Sequence, residues 1–175
     1  MVCDSFNNLK PVEEMDVDAF VGPLISKRAV KACGFPRPGY FLEGDDIDYT
    51  YRITRSFNGY LIKDAQINHK DLVIANGINP GMWWKQYYSF RNPILFAYYN
   101  FEGIERVKAI CSHIKFAIKQ IIKMYLDRRY KGYRLFRTRI LFKGLIDGMC
   151  KTEGIVIKPA EYKKALNNVE KRMKG

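Results

Sequence analysis

From Ile104 to Tyr125 the apolar residues recur with a period of 3.6: Ile104, Val107, Ile110, Ile114, Ile118, Ile121 and Tyr125 form one stripe, with Lys108, Lys115, Lys119 and Lys123 off it. A pattern of that length and period specifies an amphipathic helix. A second basic amphipathic segment, Tyr133 to Met149, follows Gly132, and a polar one, Pro159 to Lys174, closes the sequence. The last part of the chain is therefore helical, and it also holds the charge. Residues 1 to 100 carry 11 Lys and Arg against 11 Asp and Glu, whereas residues 101 to 175 carry 19 against 7, so the net +12 lies wholly in the helical part. Such an excess suits a polyanion or an anionic membrane surface reached through residues 101–150, or else a merely solvated helical face.

At 175 residues and 47% hydrophobic, the chain can build one domain with a core, or part of a larger domain plus an appendage, and it is not composed like a disordered segment. Met1 to Lys10 has no apolar leader segment. No run of about 18 uncharged apolar residues is present either, so membrane contact is expected to be peripheral. Cys3, Cys33, Cys111 and Cys150 stand far apart without metal-type spacing, which fits reduced thiols in the cytoplasm.

Residues 1–18 show no sustained period and read as a lead-in. Ala19 to Ile25 is an apolar run of buried-strand length, and Ser26 is placed to cap a short helix, Lys27 to Cys33, that Gly34 and Pro36 end. After the turn Pro36 to Gly39, Tyr40 to Leu42 is an apolar approach to the acidic cluster Glu43-Gly44-Asp45-Asp46-Ile47-Asp48. A helix opens there, with Asp48 and Arg52 four residues apart and Gly59 placed as its C-terminal cap. Tyr60 to His69 reads as strand-like segments broken near Asp64, and Asn76 to Gly81 is turn chemistry. Met82 to Tyr99 then concentrates Trp83, Trp84, Tyr87, Tyr88, Phe90, Phe96, Tyr98 and Tyr99. Indoles and phenols stack on sugar faces, and equally they fill a core where helices dock, so most of these are expected inside and one Trp at a ligand.

Three carboxylates within four residues, Asp45, Asp46 and Asp48, raise one another's pKa unless something positive or water faces them. A helix N-terminus supplies part of that relief, so capping and pairing with Arg52 is one reading. The other places the cluster at the end of a sheet, with His69 returning to the same edge, where a carboxylate can take a proton from a hydroxyl and an imidazole can complete a cation's shell. His113, inside the long helix, reads as an ordinary helical residue.

Four ordered motifs bear on this choice: Phe20 to Ser26 (FVGPLIS), Gly39 to Ile53 (GYFLEGDDIDYTYRI), Asn68-His69, and Tyr87 to Asn92 (YYSFRN). Together they span about residues 19–95 and resemble the acceptor half of bacterial family 2 glycosyltransferases, in the galactofuranosyl- and rhamnosyltransferase-like branch. The resemblance implies an α/β chain: the C-terminal, acceptor-side part of a GT-A fold over 19–95, followed by a basic helical region over 96–175. It implies an inverting hexosyl transfer from a UDP- or dTDP-linked sugar to a glycan or lipid-linked glycan of the cell envelope, at the inner face of the membrane.

In that reading Asp46 is the general base, while Asp45, Asp48, Trp83 and Trp84 shape the acceptor site. His69 helps hold a divalent cation, Mg or Mn, whose other ligands lie in a nucleotide-binding half. Only residues 1–18 precede the acceptor half here, and Asp16-Val17-Asp18 follows no apolar strand, so it reads as a chance match to that half's Asp-x-Asp. The expectation is a fragment or split subunit, inactive unless a complementing N-terminal half is supplied. The alternatives are a non-catalytic remnant that binds a membrane or partner, and a nucleic-acid module. Against the last, the aromatics lie upstream of the basic helices, the acidic cluster repels phosphate, and no RNA-binding or zinc signature is present.

Overall fold

A computed structural model describes residues 10–68 and 78–174. Among the described residues the chain is mainly helical with one two-stranded antiparallel sheet, and it divides into two compact units. One comprises Met1–Arg37 with Asp45–Val73; the other comprises Pro38–Gly44 with Ile74–Gly175.

In the first unit, β1 (Val12–Met15) pairs antiparallel with β2 (Gly59–Ile62), Val12 opposite Ile62 and Met15 opposite Gly59. The lead-in thus contains a strand that shows no period, because it is only four residues long. Gly59 opens β2 and does not cap the acidic helix. A Cβ there would come within 3.0 Å of the Met15 carbonyl oxygen, so close strand approach is its physical role. Helix α1 (Lys27–Cys33) starts where expected: Ser26 is extended and its Oγ accepts from the Ala29 N–H at 3.1 Å, and Gly34 ends the helix with φ +73°. Helix α2 (Asp45–Thr54) has three acids in its first turn and Arg52 in its last, as the helix dipole favours. The core is small, formed by Ala29, Tyr49 and Ile53 with Ile25, Cys33 and Phe57 around them.

The expected strand Ala19–Ile25 is absent. The segment is irregular, with Phe20, Val21 and Leu24 exposed, and no strand among the described residues offers its ladder hydrogen bonds.

The second unit is built from α3 (Trp84–Asn100), α4 (Gly103–Leu126), α5 (Arg134–Met149) and α6 (Pro159–Lys174). The expected boundary at residue 95 falls inside α3 and is not a structural division. Helix α5 lies close along α3 because Gly144 and Gly148 face it. A Cβ on Gly144 would come 2.5 Å from the Tyr87 carbonyl oxygen, and one on Gly148 would come 2.9 Å from that of Arg91. The aromatic run supplies most of the core, as Trp83, Tyr87 and Tyr88 cluster with Ile140, Tyr162 and Leu166. Its phenols also serve as struts: Tyr88 Oη accepts from the Val156 and Ile157 N–H groups at 3.2 Å, and Tyr87 donates to Asp147, which Lys143 also meets at 2.8 Å. Burial and the Asp147 carboxylate push the Tyr87 phenol well above its ordinary range.

Candidate functional site

The acidic cluster begins the second helix of the first unit, and its three carboxylates have different surroundings. Asp48 is fully buried, with one oxygen paired to Arg37 and the other accepting from Arg52 Nε at 3.1 Å. Arg52 also donates to the carbonyls of Cys33 and Phe35, at 2.7 and 2.9 Å, while Tyr49 Oη donates to that of Gly34 at 2.7 Å. Asp48 therefore locks α2 to the end of α1. It has no face for an acceptor, and the expectation of an acceptor-binding Asp48 is corrected on that ground.

Asp45 and Asp46 are only partly buried. One Asp46 oxygen accepts from the N–H of Ile47 at 2.8 Å, and its carbonyl accepts from Thr50 Oγ1 at 2.8 Å. Of the three, these two are the ones left partly exposed, in the first turn of the helix. The rim of an open sheet does not carry them. Tyr40 to Leu42 forms no strand, and the cluster follows a single 3-10 turn (Pro38–Tyr40) and a loop.

That loop belongs to the second unit and is held by α3. Residues Phe41 and Glu43 are left-handed, at φ +62° and +60°, and Gly44 is at +87°. The first two are costly for non-glycine residues and persist only where surroundings over-determine them. The side-chain amide of Asn92 donates to the carbonyls of Tyr40, Leu42 and Glu43 at 3.2, 2.6 and 2.5 Å, and its oxygen accepts from Arg91 Nε at 2.8 Å. Arg91, fully buried, donates to the carbonyls of Tyr40 (2.7 Å), Gly39 (3.0 Å) and Gly154 (2.7 Å), and its guanidinium lies over the rings of Tyr87 and Tyr88. Ser89 donates to the Glu43 carboxylate. The run Ser89 to Asn92 is thus a clamp on the loop that ends one residue before Asp45. Sequence reasoning gave Arg91 and Asn92 no role. The available signal was a charged and an amide residue inside an apolar aromatic helix, where neither belongs without buried partners.

The two indoles part company. Trp83 is 4% exposed, its ring against Tyr130 and Tyr133 with the Arg137 guanidinium 5.2 Å from its centre, so it is core and the expectation of an acceptor-binding Trp83 is corrected. Trp84 is half-buried, edge-on to Tyr88, with Lys85 near its face. His69 lies outside the described residues.

Asp16 pairs with Arg55, and one Asp18 oxygen accepts from the N–H of Ala19 at 2.8 Å. Among the described residues no three His, Cys, Asp or Glu side chains group closely enough to hold a metal ion, and Asp48 has both oxygens committed to arginines. No family model, no curated protein and no solved structure matches the chain.

Proposed function

We propose that the chain is the acceptor-side portion of an inverting GT-A-type glycosyltransferase that transfers a hexose, such as galactofuranose or rhamnose, from a nucleotide sugar to a glycan at the cytoplasmic face of the membrane. The observation that carries this reading is the division of labour in the motif Asp45-Asp46-Ile47-Asp48. Asp48 is neutralised by two arginines and structural, which leaves Asp46 partly exposed and unpaired with any cation among the described residues. A base needs that combination: an accessible oxygen on a rigid first turn.

In this scheme an acceptor hydroxyl gives its proton to Asp46 as its oxygen attacks the anomeric carbon. The bond to the nucleoside diphosphate breaks on the opposite side, which inverts the centre without a covalent intermediate. Asp45 is the acceptor-facing candidate on the same turn, as a hydrogen-bond acceptor; Trp84, on the second unit, offers an indole face on which a sugar can stack. The nucleotide sugar requires a binding half supplied by a partner or by more of the same polypeptide.

Transfer from UDP- and dTDP-activated sugars to a lipid-linked glycan tests the proposal, with a complementing nucleotide-binding half present. Asp46→Asn is expected to lower turnover by about 10² to 10⁴ without unfolding α2. Unchanged turnover would remove Asp46 from the role.

A further inference from the structure

The α4–α5 hairpin carries an apolar surface that nothing among the described residues of its own unit covers. Around α4 three arcs succeed one another at about 100° per residue. Ile110, Ala117 and Met124, seven residues apart, are buried. Beside them Val107, Cys111, Ile118 and Ile122 are exposed, the three aliphatics at 50 to 53%. Beyond these stand Lys108, Lys115 and Lys119, all exposed.

On α5, Leu135, Phe142, Ile146 and Met149 are likewise exposed and recur at helical spacing, with Arg139 and Lys143 beside them. The two stripes lie on one side. On α4 the α3-facing residues, His113 and Ala117, are followed around the helix by Ile121 and Tyr125, which meet α5, and then by the exposed stripe. On α5, Gly144 and Gly148 face α3, Leu145 and Thr138 face α4, and the exposed stripe again comes next. Both stripes therefore border the outer groove of the hairpin, away from α3.

We infer that this outer face of α4 and α5 lies flat on an anionic lipid bilayer, its aliphatic side chains at the acyl boundary and its lysines and arginines among the headgroups. Charge selects this occupant. Residues 103–126 hold five Lys and Arg against one Glu, and residues 134–149 hold four against one Asp, so a second copy of the face would oppose like charge with like. A nucleic acid would satisfy the lysines but leave an aliphatic stripe against phosphates. A bilayer surface meets both halves of the pattern. No helix among the described residues is long and apolar enough to cross a membrane, so the helices lie on the surface. The inference sharpens the membrane placement proposed above but does not need the transferase reading, because vesicle binding is measured without donor or acceptor.

The test is co-sedimentation of the full chain with vesicles of phosphatidylcholine alone and of phosphatidylcholine mixed with phosphatidylglycerol, at low and high salt. Binding is expected only with the anionic lipid and is expected to weaken with salt. Ile118→Gln with Ile122→Gln, and separately Lys115→Glu with Lys119→Glu, should each weaken it by about tenfold or more, the helix content and melting temperature being unchanged. As a direct readout, an environment-sensitive fluorophore on Cys111, with the other cysteines changed to Ser, should shift to the blue on anionic vesicles. Equal binding to both vesicle types, or binding indifferent to the isoleucine pair, would overturn the inference. So would a lipid-free dimer that the isoleucine pair abolishes, or an oligonucleotide bound as tightly with that pair replaced.

Discussion

Each of the two units is stabilised internally by different physics. In the first, a core of three buried apolar residues is supplemented by side-chain bonds to backbone: Arg52 to Cys33 and Phe35, Tyr49 to Gly34, Thr50 to Asp46, with the Asp48 ion pairs at the centre. In the second, four helices bury an aromatic and aliphatic core, and the buried polar groups, Arg91 and Asn92, hold the loop Gly39 to Glu43, with one further Arg91 bond to the Gly154 carbonyl. The candidate base thus stands on the lightly cored unit, while the left-handed loop before it is fixed by the heavily cored one. Small cores open locally at low cost, so a carboxylate needed in one orientation there depends on directional bonds more than on packing.

Arg91→Ala should show the largest effect. Three carbonyls lose a buried charged donor and a cavity opens beside Tyr87 and Tyr88, a loss of about 3–5 kcal/mol in chemical denaturation. If the loss is below about 1 kcal/mol, the clamp is not what holds the loop.

Asp48→Asn comes next. Breaking a buried pair costs about 3–5 kcal/mol when the partner stays buried. Arg37 keeps a third of its side-chain surface in water, so about 2 kcal/mol is expected. The loss should appear as faster amide exchange in residues 27–37 and 45–54, with α3 to α5 unaffected; an equal change in both units would blur the contrast between them.

Gly144→Ala should destabilise the second unit by about 1–2 kcal/mol, because overpacking against the Tyr87 carbonyl exceeds the gain in helix propensity. Thermal melting that rises on this substitution would mean that α5 does not need its close approach to α3.

The smallest effect is expected at His113. Burial holds its imidazole below the ordinary range, partly offset by the Phe90 carbonyl, 3.0 Å from Nε2. The unfolded chain therefore binds a proton first as pH falls through about 6.5, and stability declines on acidification until the folded form also protonates. His113→Gln should flatten that part of the stability profile between pH 7 and pH 5. A profile identical to the parent's would place the imidazole in water.

What could be read from the sequence alone was local. The α1 cap at Ser26 and stop at Gly34, the acid-rich start of α2 with its Asp48–Arg52 pair, and the helices Gly103–Leu126, Arg134–Met149 and Pro159–Lys174 each rest on residues within a few positions of one another. Their signals need no knowledge of the rest of the chain. Tertiary structure alone decided where Val12–Met15 finds a partner strand, why Ala19–Ile25 finds none, and which carboxylate is buried and which indole is core. It alone joins Arg91 and Asn92 to carbonyls some fifty residues away. Those outcomes turn on hydrogen bonds and burial between distant segments, and whether a buried polar group finds its partner is a property of the folded chain, not of any window of residues.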